Sequence, residues 1–234
     1  MEQSDNIRIL KRVPFSGVRK VIAANLEKAK DIVPTSSFIR VNTSGLARVR
    51  EALAVQGHKV GYTPLFFKIT AYALGQSPFM NASLVGSRLE LYESVNIGMA
   101  VATGNGLLVV PVIRDVDRKN ILEIAGDIKK TVKLANENQL QMEDFEGATF
   151  SISNLGMYHI DGFAPVVVPP QVAILGIGNI KQEPVVNSDG QIVAQPVAYI
   201  SLNTDHRYVL GSHVMDFYQA FRGAMENPEP ILMP

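Results

Sequence analysis

Few side chains in this chain can do covalent or proton-transfer chemistry. None of its 234 residues is cysteine, which removes thiolate nucleophiles, thiolate metal ligands and disulfides. The four histidines, at 58, 159, 206 and 213, fit no metal-ligand spacing, so no metal is expected. His206 stands in NTDHRYVLGSH at 203–213, where a strand-like run gives way to a loop and then a helix. Loops at strand ends are where a rigid scaffold holds reacting groups, and imidazole is the side chain that exchanges a proton near neutrality. His206 is therefore the candidate general base, weighed against the commoner case of a structural or solvated histidine. His58, beside Gly57, and His213, at the start of the last helix, read as surface residues. His159 lies in NLGMYHIDGFAPVVVPP, whose prolines and glycines mark an ordered loop able to line a pocket.

Ser153, in FSISNLG, is the second candidate. It ends a strand, a place from which a hydroxyl can donate into a cleft; the alternative is a serine that satisfies its own loop backbone. No GxSxG is present, which disfavours a hydrolase nucleophile. GIGN at 176–179 lacks the third glycine and the following helix of a dinucleotide loop. Glycines that let a backbone or a ligand approach a strand closely are the better reading.

These groups must be positioned by the elements around them. Ser16 is placed to cap a helix running to about Asp31, with Val18, Val21, Ile22, Asn25 and Ala29 on related faces. TSSFIRVNT after Pro34 reads as a strand. Ser44 is placed to cap LARVREALAVQ, which Gly57 should stop. Thr63-Pro64 opens LFFKITAYALG, a helix apolar on most sides and therefore central. From about residue 82 strands dominate: VNIGMAVAT and GLLVVPVI flank Gly104, Asn105 and Gly106, a hairpin signal. Asn120 with Glu123 predicts a capping box for ILEIAGDIKKTVKLANEN. GATFSISN, QVAILGIGNI and, after the turn NSDG, QIVAQPVAYISLN follow as strands. A last helix begins after Ser212, with Val214, Phe217, Tyr218 and Phe221 at helical spacing. Helices before and after a block of strands, without regular βαβ alternation, predict an α+β fold in one domain.

Composition sets outer limits. With 47% hydrophobic and 19% charged residues the chain can build a packed core. Lys+Arg and Asp+Glu balance at 22 each, so overall charge gives no support for nucleic acid or an acidic membrane as partner. The amino-terminal MEQSDNIRILKR has no apolar signal core, and no apolar run is long enough to span a bilayer. A soluble, cytoplasmic protein is expected.

Taken together, the segments resemble the catalytic domain of the dihydrolipoamide acyltransferases, the E2 components of 2-oxo acid dehydrogenase complexes. The matching pieces are VPFSGVRKVIAANL at 13–26, PFMNAS at 78–83, NIGMAVATGNGLLVVPVIRD at 96–115, FEGATFSISNLGMYHIDGFAPVVVPPQVAILGIG at 145–178 and DHRYVLG at 205–211. The resemblance implies the chloramphenicol-acetyltransferase-like fold, with residues 1–12 as an arm and 13–234 as the catalytic domain. It also implies a homotrimer, or a multiple of trimers, with active sites at subunit interfaces and CoA or acetyl-CoA as co-substrate. The family's HxxxDG signature places the base at His206 and its glycine at Gly211, and the serine that supports the oxyanion falls on Ser153. The family's aspartate or asparagine falls on Leu210, and His159 stands where relatives of the form SNLGMFGI carry glycine. In this fold the histidine is expected to be held through its own backbone carbonyl, so Leu210 need not abolish activity. The lost aspartate is expected to leave apolar repacking around Leu210, and Arg19 is its candidate former partner. Arg19 and Lys20, with Gly176, are candidate CoA contacts, and Asn154 with the PPQVAILGIG strand is expected to border the pantetheine channel.

Three functions follow from the resemblance. The first expectation is a free-standing acetyltransferase acting on a hydroxyl of a small, tetronate-type biosynthetic intermediate, because Met1 lies close to the start of the homology and residues 159 and 210 depart from the family. The alternative is the E2 core, exchanging acyl groups between lipoamide and CoA. A catalytically inactive assembly subunit is the third.

Overall fold

The run that opens at Thr63-Pro64 is apolar on most sides and becomes the helix around which the others pack, with Lys68, Tyr72, Gly75 and Gln76 along its outer side. The computed structural model describes residues 8–104 and 106–233, without the side chains of Val18 and Val21. Most of the amino-terminal arm, the turn residue Asn105 and the faces taken by those two valine side chains therefore lie outside what is described. In chain order the elements are α1 (Val18–Glu27), β1 (Pro34–Asn42), α2 (Ser44–Val55), α3 (Tyr62–Gln76), β2 (Ala82–Val85) and β3 (Arg88–Leu91). There follow β4 (Ile97–Met99), β5 (Val101–Ala102), β6 (Leu108–Val109), β7 (Val112–Ile113), α4 (Ile121–Asn136) and β8 (Phe150–Asn154). The chain ends with β9 (Ala173–Val186), β10 (Ile192–Asp205), α5 (Gly211–Glu226) and α6 (Glu229–Leu232).

Several local signals work as the sequence predicts. Asn120 accepts from the amides of Leu122 and Glu123, and Glu123 accepts in return from the Asn120 amide, which closes the capping box of α4. Gly57, at φ +88°, ends α2 in a conformation that a side chain would resist, and His58 N–H returns to Leu53 O. Other caps differ. Gly17, not Ser16, precedes α1, and the expected last turn of that helix tightens into a 3-10 turn over Lys28–Asp31. Ser44 is the first residue of α2, not its cap; its amide is taken by the Asn42 side chain. Pro64 sits third in α3, still within the turn whose amides have no helical partner. Phe66, Phe67, Ile69 and Leu74 of α3 are buried, each contributing about 1.5–3 kcal/mol relative to exposure.

One sheet of six strands carries the fold, in the order β1-β10-β9-β8-β4-β7. β8 runs parallel to both β4 and β9, while β10 is antiparallel to β1 and β9, so the sheet is mixed and the fold α+β. The two arms of the predicted hairpin do pair: β4·β7 lies in this sheet, and β5·β6, nearer the turn, lies outside it. Alternation along the strands gives the sheet two unlike faces. Phe150 and Ile152, Leu175 and Ile177, Ile200 and Leu202 join the core beneath the helices. The opposite face carries Ser151, Ser153, Gly176, Gly178, Ser201 and Asn203, and the loop 155–172 folds over part of it. Ser151 Oγ donates to Gln171, Asn203 Nδ2 donates to Pro165 O, and Asn179 N–H donates to Ile160 O at 2.8 Å.

The glycine pair of GIGN is what lets this loop come so near. A Cβ on Gly178 would overlap the Asp161 carbonyl, and one on Gly176 would overlap Ser201 Oγ with Pro165 Cδ 3.0 Å away. At Gly178 the approaching group is backbone, and at Gly176 it is side chain. Gly178 and Asn179 also form the bulge of β9 opposite Tyr199, between the pairs Ala198↔Ile180 and Ile200↔Ile177. Gly178→Ala is expected to destabilise the protein by about 2–3 kcal/mol, because backbone cannot yield as a flexible side chain does. Gly75→Ala is the control: it faces open space on α3 and should stabilise by about 0.5–1 kcal/mol. Urea unfolding midpoints of the two variants check both signs.

Candidate functional site

His206 is the first residue beyond β10, and three features fix it. Its N–H donates to Val33 O at 2.8 Å, which ties it to the residue preceding β1. Asp205 before it is 3% exposed and clasps Arg207: Nε lies 2.9 and 3.1 Å from the two carboxylate oxygens, and Nη2 lies 2.6 Å from one. The hydrogen-bonded Asp205 carboxylate raises the pKa of Arg207, and the pair leaves no buried charge alone. Val209 is fully buried, so its carbonyl is anchored, and that carbonyl lies 2.9 Å from His206 Nδ1. A carbonyl oxygen only accepts, so Nδ1 carries the proton and Nε2 keeps its lone pair. The tautomer is thus set by the carbonyl three residues on, not by the histidine's own. The ring is exposed, with Nε2 free to meet an incoming proton.

Leu210 is the N-cap of α5, and Gly211 is its first residue. The leucine is 55% exposed, so the expected apolar repacking around it is absent within the chain. Lacking an acceptor, it cannot cap the helix. The only half of a capping box here is the reverse one, with Leu210 N–H donating to His213 Nδ1 at 3.2 Å. His213 is not a bland surface residue: it is partly buried and stacks on Phe79, centroids 4.2 Å apart and planes 4° from parallel.

Ser153 lies elsewhere. It pairs with Gly176 of β9, which pairs with Ser201 of β10, so Ser153 and Ser201 share one row of the sheet. His206 is five residues beyond Ser201. The separation is about 10 Å across the strands and about 17 Å along them. Within one chain the two candidate groups do not meet.

At the Ser153 end, a cleft of about 320 Å³ opens between α3 and the sheet. Tyr62, Thr63 and Phe66 line one side, Asn154, Gly156 and Met157 the other, with Ile177 and Gly178 at the strand. Asn154 is locked in it, donating to Thr63 Oγ1 at 3.2 Å and accepting from Gly156 N–H at 2.9 Å. His159 follows on the same loop, exposed, at φ +57°, a backbone conformation that favours glycine.

The family comparison then decides what this chain is. The model of the 2-oxoacid dehydrogenases acyltransferase (catalytic domain) matches residues 8–233. The chain belongs to this acyltransferase family.

A pyruvate dehydrogenase complex dihydrolipoyllysine-residue acetyltransferase component of Rickettsia bellii is 35% identical over 226 residues, covering 94% of this chain and 54% of that protein. The chain thus spans about half the length of the curated relatives it matches. Two solved structures agree alike, each with a TM-score of 0.91 and 30% identity over 99% of this chain and 98% of the other. One is the cubic core of a pyruvate dehydrogenase multienzyme complex. The other is the Azotobacter vinelandii dihydrolipoamide acetyltransferase, examined for the roles of a serine, a histidine and an asparagine in its catalytic mechanism. Chloramphenicol acetyltransferase, 13% identical with a TM-score of 0.52 over 86% of this chain and 94% of that one, shares the fold. These relatives favour the E2 expectation over the free-standing tetronate-type one, which none of them supports.

Gly176 is roofed by Pro165 and Phe163 and offers no open surface to CoA on that face. Arg19 and Lys20 are exposed on α1, and among the described residues no hydrogen bond or ion pair joins the Arg19 side chain to the loop at Leu210. The arginine that does serve this loop is Arg207. Asp205 and Arg207 were missed, although an aspartate and an arginine flanking a candidate base are a signal in themselves. Thr63 and Val209 gave no signal that could be read locally. Among the described residues, no helix is long and apolar enough to cross a membrane, and no group of three or more His, Asp or Glu could hold a metal ion.

Proposed function

We propose that this chain is the catalytic core of an E2 component, residues 13–234 with 1–12 as an arm, moving acyl groups between CoA and a dihydrolipoyl thiol. The observation that carries it is an exposed imidazole whose Nδ1 proton is committed to Val209 O, within a chain whose residues 8–233 match the acyltransferase family. Nε2 of His206 takes the proton of the attacking thiol, and the sulfur adds to the thioester carbonyl. Ser153 Oγ donates to the oxyanion that forms. Collapse expels the other sulfur, which receives the proton back from His206. Leu210 and Gly211 carry the loop, and the cleft bordered by Asn154, Thr63 and Met157 takes the pantetheine arm.

Each site is built between two copies, with His206 from one and Ser153 from its neighbour, in a trimer or a multiple of trimers. The in-chain separation of the two groups supports this reading. So does the exposed apolar surface before α1, where Leu10 is 102% and Phe15 68% exposed. His159 and the exposed Met157 and Tyr158 sit beside the cleft and tune the acceptor.

Incubation with acetyl-CoA and either dihydrolipoamide or a hydroxylated tetronate-type alcohol tests the reading. S-acetyl-dihydrolipoamide is the expected product. Exclusive acetylation of the alcohol would return the function to the free-standing transferase, and no transfer at all would leave an assembly subunit.

A further inference from the structure

We propose that His213 is a positioning residue for His206 and acts through the single peptide group between Val209 and Leu210. The inference rests on His206 being the base. The carbonyl that holds His206 Nδ1 at 2.9 Å and the N–H that donates to His213 Nδ1 at 3.2 Å belong to the same peptide unit. A trans peptide is planar, with its C=O and N–H pointing opposite ways. One plane therefore bridges two imidazoles, and rotating it breaks both bonds together.

The plane needs this second hold. On the carbonyl side it is fixed by the buried Val209 side chain, but on the amide side the residue is a leucine 55% exposed, whose packing does not hold it. His213 supplies what is missing. Its Nδ1 accepts, so its proton sits on Nε2, and the ring is held flat against Phe79 at 4.2 Å. Its own carbonyl accepts from Ser77 Oγ at 2.9 Å, which fastens the start of α5 to the turn Pro78–Met80. Accepting from the amide also polarises the peptide and strengthens its carbonyl as the partner of His206 Nδ1–H. The loop therefore has a polar support that does not depend on the side chain at position 210: it comes from three residues along, in the first turn of the same helix.

Two substitutions separate the parts of this device. His213→Phe keeps a ring to stack on Phe79 and removes the acceptor; His213→Gln removes the stack and keeps an acceptor able to reach the N-cap amide. In the full-length protein, with acetyl-CoA and dihydrolipoamide, His213→Phe is expected to lower kcat on the order of tenfold with KM for acetyl-CoA unchanged. His213→Gln is expected to return kcat to within about threefold of the parent. Hydrogen exchange of the Leu210 amide should quicken on the order of tenfold in His213→Phe and not in His213→Gln. A His213→Phe protein with parental kcat, or with unchanged Leu210 exchange, overturns the proposal. If the unsubstituted protein transfers no acyl group, it is the reading of the function that has failed, and the exchange measurement alone then decides the role of His213.

Discussion

Replacing His206 by Ala is expected to lower kcat for acyl transfer by about a thousandfold, within the range general acid–base catalysis supplies, and to leave the fold standing. The side chain is exposed, and its one bond within the chain, to Val209 O, is worth about 0.5–1.5 kcal/mol, a small share of the stability of a domain with this core. His206→Asn makes the test sharper, because its amide can still donate to Val209 O while offering no base. If the ring only braced the loop, His206→Asn would recover most of the activity lost in His206→Ala. If Nε2 takes the proton, both variants are equally inactive, with kcat and kcat/KM reduced alike because the lost interaction belongs to the transition state. Steady-state kinetics on purified, folded protein distinguishes these outcomes. A kcat for His206→Ala within tenfold of the parent would remove the residue from the chemistry.

What could be read from the sequence was local. The capping box at Asn120 and Glu123 needs only four consecutive residues, and the stop at Gly57 needs one residue with a free left-handed conformation. The close approach at Gly176 and Gly178 could be inferred from glycine in a strand, but not which group approaches; that the Asp161 carbonyl does so depends on how loop 155–172 returns across the sheet. The surroundings of Leu210 were expected to turn apolar because a lost carboxylate would leave an arginine unpaired. The arginine at this loop is instead Arg207, paired with the aspartate two residues before it, so nothing was left to repack. His213 read as a surface residue because its two partners, the Leu210 amide and the Phe79 ring, come from a helix end and from a turn 134 positions earlier in the chain. The distance between His206 and Ser153 was the least legible feature of all. It follows from strand order and from the mix of parallel and antiparallel pairing, neither of which periodicity encodes.

That distance yields the other large expected effect. Ser153→Ala should cost about 10²–10³ in kcat, the usual loss for one oxyanion donor, with little change in stability because a partly exposed hydroxyl is removed. Ser153→Ala and His206→Ala proteins are then both nearly inactive, yet they fail in different halves of the site. Co-expression in one cell, followed by purification of the mixed assembly, should restore activity. In a closed ring of three, any mixed trimer has one junction where an intact His206 faces an intact Ser153, so random mixing recovers about a quarter of the parental rate. Each variant alone stays at its own low level, and mixing already assembled trimers without subunit exchange should recover nothing. If the two groups worked within one chain, the co-expressed protein would show only the average of two inactive enzymes. Recovery would therefore establish in one measurement that both residues act and that neither acts without a neighbouring copy.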